Sequence, residues 1–320
     1  MALQTFRGRF VRLCAVVLAL AAAAPAMAAE MAVGSGGKTY VVAFAQDHMA
    51  NDWRAAQVRD IQRELGRYRD VRFVFTDAGG RTAQQIADIE TLAGQGIDLL
   101  ITSPRDSVAM APVIADVHRR GIPVVLLSRQ VEGDGYTAFI GASNRDIGRK
   151  AAAHLAKRLN GKGRVLILQH IPTTTPGRDR TEAFIEELAK HPGLTVAAIK
   201  RADSLRALAI QKVEEALAEK LAFDAIYAQS DSMAAGARIA LRAAGIAPGS
   251  IPTIGIDYIA EAREAIRAGE QDASFTYPTF GKEGAEVAVR LLRGERVRKE
   301  ITVDSVAVTR DNVEQVEPIF

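Results

Sequence analysis

Tyr40-Val-Val-Ala-Phe-Ala45, then a helical pattern over Asp52–Leu65 closed by Gly66, then Val71-Arg-Phe-Val-Phe75, sets the architecture of this chain. A continuous apolar run rich in strand formers suits a strand buried on both faces. A dozen or so helical residues between two such runs imply parallel strands joined by a crossover. The unit repeats downstream: helix Thr82–Gln95, strand Leu99–Thr102, helix Ser107–Arg120, strand Pro123–Leu127. It begins again with helices over Asn144–Leu159, Thr181–Lys190, Leu205–Lys220 and Ser232–Ala244, where Asn144 and Asp231 read as helix N-caps. Between them lie strands Arg164–Leu168, Leu194–Ile199, Ala225–Ala228 and Thr253–Ile256. Segments Ala260–Ala268, Ala273–Thr276, Gly281–Leu292 and Ile301–Val308 complete the chain. That is more strands than one ordinary sheet holds. The expected fold is α/β, with two Rossmann-like lobes built on parallel sheets.

Upstream, Arg7, Arg9 and Arg12 precede an apolar run from Leu13 to Ala24, and Ala26-Met-Ala28 ends it with small residues. This order reads as a secretory signal cleaved after Ala28. A run of 12 apolar residues spans about 18 Å as a helix against roughly 30 Å of hydrocarbon, so a permanent anchor is disfavoured. Removing three arginines and no acid brings the 41 basic residues level with the 38 acidic ones. The formal charge of +3 vanishes, and with it any case for a phosphate-binding surface; no nucleic-acid partner is expected. The sole cysteine, Cys14, leaves with the leader, so a core rather than a disulfide must hold the exported chain.

In open α/β sheets, ligands bind outside the carboxyl ends of the strands. Those ends are polar here: Gln46-Asp-His-Met-Ala-Asn51, Ser103-Pro-Arg-Asp106, Ser128-Arg129, Gln229-Ser-Asp231 and Asp257-Tyr258. Two facing lobes would turn them into one cleft. At these segments the chain resembles the type I periplasmic binding proteins for sugars, the ribose- and galactofuranose-binding relatives that feed ABC importers. The resemblance runs from about Thr39 to Asn312 and rests on motifs in order. They are Val42-Ala-Phe-Ala-Gln46, Asn51-Asp-Trp-Arg54, Ile101-Thr-Ser-Pro104, Gly121-Ile-Pro-Val124 and Leu127-Ser-Arg129 in the first half. In the second half they are Gly177-Arg-Asp-Arg180, Tyr227-Ala-Gln-Ser-Asp-Ser-Met233 and Ile254-Gly-Ile-Asp257.

The resemblance implies two lobes joined by three hinge crossovers, near Ala142, Tyr277 and Val303. The expected division is a signal peptide over 1–28 and a flexible leader over 29–38. An N-terminal lobe would then take 39–142 plus 278–302, and a C-terminal lobe 143–277 plus 303–320. It implies ligand contacts from Asn51, Trp53, Arg54, Ser103, Ser128 and Arg129 on the first lobe. Arg178, Ser204, Ser230, Asp257 and Tyr277 would serve on the second lobe and hinge. The chemistry suits a sugar: an aromatic covers an apolar C–H face, guanidiniums donate to ring oxygens, and a carboxylate accepts from hydroxyls.

Departures from the ribose-type pattern are informative. Ser128 stands where that pattern has Asp, Ser103 and Ser230 where it has Asn, and Ser204 near an aromatic position. The expected consequence is a wider pocket with Arg54, Arg129 and Arg178 set against Asp257. It would suit a solute larger than a pentose or one carrying negative charge, such as a sugar acid.

The expected role is that of a monomeric, non-enzymatic periplasmic receptor that closes over a sugar-like ligand and delivers it to an ABC permease. The alternative keeps the fold and makes the partner a sensor kinase or chemoreceptor; an exported α/β hydrolase is a remote third. No cofactor or metal is expected. Gly34-Ser-Gly-Gly-Lys-Thr39 approaches a phosphate loop but precedes a strand rather than a helix. The five histidines lack metal-ligand spacing, and His48 reads as a solvated loop residue. No Gly-x-Ser-x-Gly elbow or partnered nucleophile is visible. An N-terminal export signal occupies the place where a repressor of this superfamily would carry its DNA-binding helices.

Overall fold

The computed structural model describes residues 37–320. The expected signal sequence, its expected cleavage after Ala28 and most of the expected leader lie outside them. The first lobe is laid down as β1 (Tyr40–Gln46), α1 (Asp52–Leu65), β2 (Val71–Asp77), α2 (Thr82–Gly94), β3 (Leu99–Thr102), α3 (Ala111–Arg119), β4 (Val124–Leu127) and β5 (Ala138–Gly141). The second follows as α4 (Asn144–Arg158), β6 (Lys162–Gln169), α5 (Thr175–Leu188), β7 (Gly193–Arg201), α6 (Arg206–Ala218), β8 (Ala225–Ala228), α7 (Asp231–Ala243), β9 (Thr253–Ile254), α8 (Ala260–Arg267) and β10 (Ala273–Phe275). The chain then returns with α9 (Gly281–Leu292) and β11 (Glu300–Thr302) and ends near β12 (Ala307–Thr309).

Two six-stranded sheets result, ordered β2-β1-β3-β4-β5-β11 and β7-β6-β8-β9-β10-β12. Every pairing is parallel except β10 with β12. The two α/β lobes are therefore doubly wound, each with the strand order that reverses direction at its first and third strands. Alternate strand residues feed opposite faces. In the first sheet Val42, Phe44, Leu99, Ile101, Val125 and Leu127 meet α1 and α9. Ala43, Ala45, Leu100, Val124 and Leu126 meet α2 and α3 on the other side. The second sheet repeats this, with Val165, Ile167 and Tyr227 towards α4 and α5, and Leu166, Leu168 and Ile226 towards α6 and α7.

The chain passes between sheets three times, between Gly141 and Asn144, between Phe275 and Gly281, and between Thr302 and Ala307. Some elements differ from the sequence expectation. β5 was not foreseen: four residues ending in glycine give too short an apolar run. The final segment expected over Ile301–Val308 holds two short strands, β11 and β12, which join different sheets. Ser143, not Asn144, caps α4 by accepting from Asp146 N.

The consequential difference is α5, which begins at Thr175 rather than Thr181. Thr174 caps it, its hydroxyl accepting from Gly177 N at 3.2 Å, and Pro176 sits in the first turn, where a missing N–H costs nothing. Gly148 lets α4 and α5 approach closely: a Cβ there would lie 2.7 Å from the Arg180 carbonyl oxygen.

Candidate ligand-binding site

The carboxyl ends of both sheets converge on one partly open cavity. The first lobe contributes Asn51, Trp53, Arg54 and Ser128; the second contributes His170, Pro176, Arg180, Ser204, Ser230 and Asp257; Tyr277 stands at the crossing between them.

On the first lobe, Asn51 ends the loop after β1. Its Oδ1 caps α1 by accepting from Arg54 N at 2.8 Å, while its Nδ2 donates across the cleft to Ser204 O at 3.3 Å. The cap places Trp53 and Arg54 in the first helical turn, both nearly fully buried. Trp53 Nε1 donates to Tyr277 O at 2.8 Å, and the indole packs 5.8 Å from Tyr277 and 6.4 Å from Phe280. Arg54 lies over that indole at 4.9 Å. Its Nη1 donates to Ser103 Oγ at 2.7 Å, Gln57 Oε1 at 3.1 Å and Ser128 Oγ at 3.4 Å.

Behind this wall sits a charge cluster that sequence reasoning missed. Asp47, fully buried at the end of β1, lies 2.7 Å from Arg129 Nη1, 3.4 Å from Arg54 Nε and 3.6 Å from Arg105 Nη1. Burial opposes its charge, but Arg129, Arg54 and His48 outweigh that and hold the carboxyl well below the ordinary carboxylate range. Burial pulls Arg54 down to about 9, with Arg129 adding to the effect and Asp47 resisting it. Arg54 still carries its charge at neutral pH.

On the second lobe, Arg180 extends from α5 into the cavity. Its Nε donates to Asn144 Oδ1 at 2.8 Å and its Nη1 to Gln229 O at 2.7 Å, with the guanidinium 4.5 Å over the Tyr277 ring. Tyr277 in turn donates its hydroxyl to Ser128 O at 3.1 Å, which ties the crossing segment to the first lobe. Ser230 Oγ caps α7. His170 accepts at Nδ1 from Ile171 N at 2.7 Å; burial, Arg129 and Arg180 keep it neutral, well below its ordinary value.

Asp257 closes the cavity. Its φ of 117°, followed by 58° at Tyr258, makes a left-handed turn that L residues rarely adopt. Asp231 holds that turn from below, accepting from Tyr258 N at 2.6 Å, Ser274 Oγ at 2.7 Å and Gln271 Nε2 at 2.8 Å. Burial raises Asp231 to about 6 against those hydrogen bonds. The Asp257 carboxyl accepts from no side chain among the described residues; the backbone N–H of Asp231 is its one hydrogen-bonding support there. Burial, reinforced by Asp231 and opposed by Arg180 and Arg54, pushes its pKa well above the ordinary carboxylate range. Ser204, at φ 62°, also leaves a buried Oγ without a partner.

Of the residues anticipated from sequence, Asn51, Trp53, Arg54, Ser128, Ser204, Ser230, Asp257 and Tyr277 line the cavity, and three do not. Ser103 lies one layer back, its hydroxyl donating to Leu127 O at 2.7 Å and meeting Ser128 Oγ at 3.0 Å. Arg129 is spent on Asp47. Arg178 is a correction: its side chain is 41% exposed at the cleft rim, paired to Asp179 at 3.1 Å and Glu132 at 3.4 Å. Once α5 starts at Thr175, the stripe Gly177, Arg180, Thr181, Phe184, Leu188 points inward at helical period and Arg178 falls off it. The Thr-Thr-Pro start signal for that helix was present in the sequence. His48 is likewise corrected: it is 5% exposed, and burial lowers it to about 4 although Asp47 resists. Asp231 is not the cap of α7, a role Ser230 fills. His170 and Pro176, not anticipated from sequence, line the cavity together with Ser128, Ser204 and Ser230.

No group of three or more metal-ligating side chains occurs among the described residues, and no helix among them is long and apolar enough to cross a membrane. Two doubly wound lobes, crossed three times by the chain and enclosing a polar cavity with unpartnered groups, define a two-lobed solute receptor. The periplasmic binding protein domain model matches residues 42–296, and the chain belongs to that family. The ribose import binding protein of Salmonella typhimurium (strain LT2) is 30% identical over 233 residues, covering 72% of this chain and 78% of that protein. Among solved structures, the fructose-binding periplasmic domain of a hybrid two-component system is similar at TM-score 0.81 and 30% identity, covering 86% of this chain and 92% of that one. An ABC-transporter solute-binding protein from Bacillus halodurans C-125 with bound myo-inositol is similar at TM-score 0.83 and 27% identity, covering 88% and 98%.

Proposed function

We propose that this protein is a periplasmic receptor that closes its lobes over one monosaccharide-sized polyol and presents the closed form to an ABC permease. The observation that carries the reading is the pairing inside one cavity of an apolar Trp53–Tyr277 wall with an Asp257 carboxyl that no side chain among the described residues satisfies. A ring with one C–H face and a rim of hydroxyls satisfies both at once. Relatives named for ribose import and a neighbour holding myo-inositol support that ligand class. The chain acts as a monomer and performs no chemistry on what it binds. Export with cleavage after Ala28 delivers it to the periplasm, which N-terminal sequencing of the exported form checks.

A second reading is favoured by one observation, the similarity to the periplasmic domain of a hybrid two-component system. In it the closed receptor docks on a signalling partner instead of a permease. Titration calorimetry against a panel of pentoses, hexoses, inositols and sugar acids tests the shared core of both readings. One-to-one binding of a panel member supports it, and no binding by any polyol refutes it.

A further inference from the structure

Resting on that reading, we infer that the ligand is an anionic polyol, a sugar acid whose carboxylate sits against Arg54 on the first lobe while its hydroxyls face Asp257 and Arg180 on the second. Three guanidiniums, from Arg54, Arg129 and Arg105, gather within 3.6 Å of a single carboxylate, Asp47. Asp47 lies behind the cavity wall rather than on it, and Arg129 takes its closest contact at 2.7 Å. Arg54 is left with the more distant Asp47 oxygen at 3.4 Å, and its Nη2 has no partner among the described residues. The groups beside it on the cavity surface, Ser128 and Asn51, carry no charge.

The second lobe is built the other way. Asp257 supplies the only carboxyl among the cavity-lining residues, and Arg180, on the same lobe, offsets it. The cavity thus carries excess positive charge on one wall and, on the other, a carboxyl that accepts from no side chain among the described residues. Burial holds the Arg54 guanidinium below its ordinary value and favours any anion that would restore the balance. A neutral sugar would fill the volume and leave that buried charge uncompensated.

Calorimetry at low salt with matched pairs tests this: D-galacturonate against D-galactose, D-glucuronate against D-glucose, and D-gluconate against D-glucitol. The expected result is at least tenfold tighter binding of the acid in every pair that binds. Ser128→Asp, at a backbone φ of 61° that aspartate tolerates, would set a carboxylate beside Arg54 and should lower the acid-to-neutral ratio at least tenfold. Thermal melting of the unliganded variant confirms that it folds. Neutral parents binding as tightly as their acids would overturn the inference and leave the receptor reading standing. No binding by any polyol, acidic or neutral, would defeat both.

Discussion

Replacing Asp257 by Asn should move stability and affinity in opposite directions. The substitution keeps the shape of the side chain and removes a charge that is almost fully buried and accepts from no side chain among the described residues. Burial and the neighbouring Asp231 raise the pKa of Asp257 well above its ordinary value, so in the unliganded closed protein the ionised form costs stability. The sign follows from proton counts. Between the unfolded value, about 3.9, and the raised native value, the native state holds more protons than the unfolded chain, so stability falls as pH rises through that window. Asp257→Asn should therefore melt higher than wild type at pH 7, and the gap should close as pH falls towards 4.

Ligand hydroxyls donating to the carboxylate reverse the balance. Hydrogen bonds to a charged group contribute about 1.5–3 kcal/mol, so affinity should drop roughly 10- to 150-fold in the variant. Because those hydroxyls favour the ionised form, binding to wild type should release a proton wherever Asp257 is protonated in the closed unliganded form, and should tighten with rising pH. Calorimetry in two buffers of different ionisation enthalpy reads that proton directly. A variant that binds within threefold of wild type, with unchanged proton release, would show that Asp257 does not touch the ligand.

Arg180→Ala should cost roughly 2–5 kcal/mol in denaturant unfolding, because it strands the buried acceptors on Asn144 and Gln229, and should weaken binding at least tenfold in the same titrations. Arg178→Ala removes two surface pairs, each worth about 0–1 kcal/mol, and should leave affinity within threefold. Asp47→Asn breaks a buried charge cluster and should cost about 3–5 kcal/mol by urea unfolding. In wild type the Asp47 contribution is present at neutral pH and should be lost as acid takes the pH below about 4, since its native pKa is depressed. Gly148→Ala places a Cβ 2.7 Å from the Arg180 carbonyl oxygen, which should cost about 1–3 kcal/mol and, by shifting α5, weaken ligand binding in calorimetry.

The alternation of β1, α1 and β2 is legible because burial on both faces of a parallel sheet leaves an uninterrupted apolar run, and Gly66 closes the helix between. From that, the two lobes and the strand ends facing a cleft follow. What a strand-end position does not encode is depth. Ser103, Ser128 and Arg129 all follow strands of the first sheet, yet only Ser128 reaches the cavity surface, because Arg54 and Asp47 from another element take up the other two. Nor does it encode pairing: Asp47 looked like one more polar loop residue until the fold set Arg129 beside it. The misplacement of the second-lobe arginine has a simpler cause. Starting α5 six residues late put Arg178 and Arg180 in a loop, where helical phase could not choose between them.

Native mass spectrometry of the protein taken from the periplasm of its own host bears most directly on the claim that the lobes enclose one small polyol. The predicted result is a single non-covalent adduct per chain, of monosaccharide-derived mass, that is lost on mild unfolding and whose readdition raises the melting temperature. A chain that carries no adduct and is stabilised by no sugar, inositol or sugar acid would contradict the account.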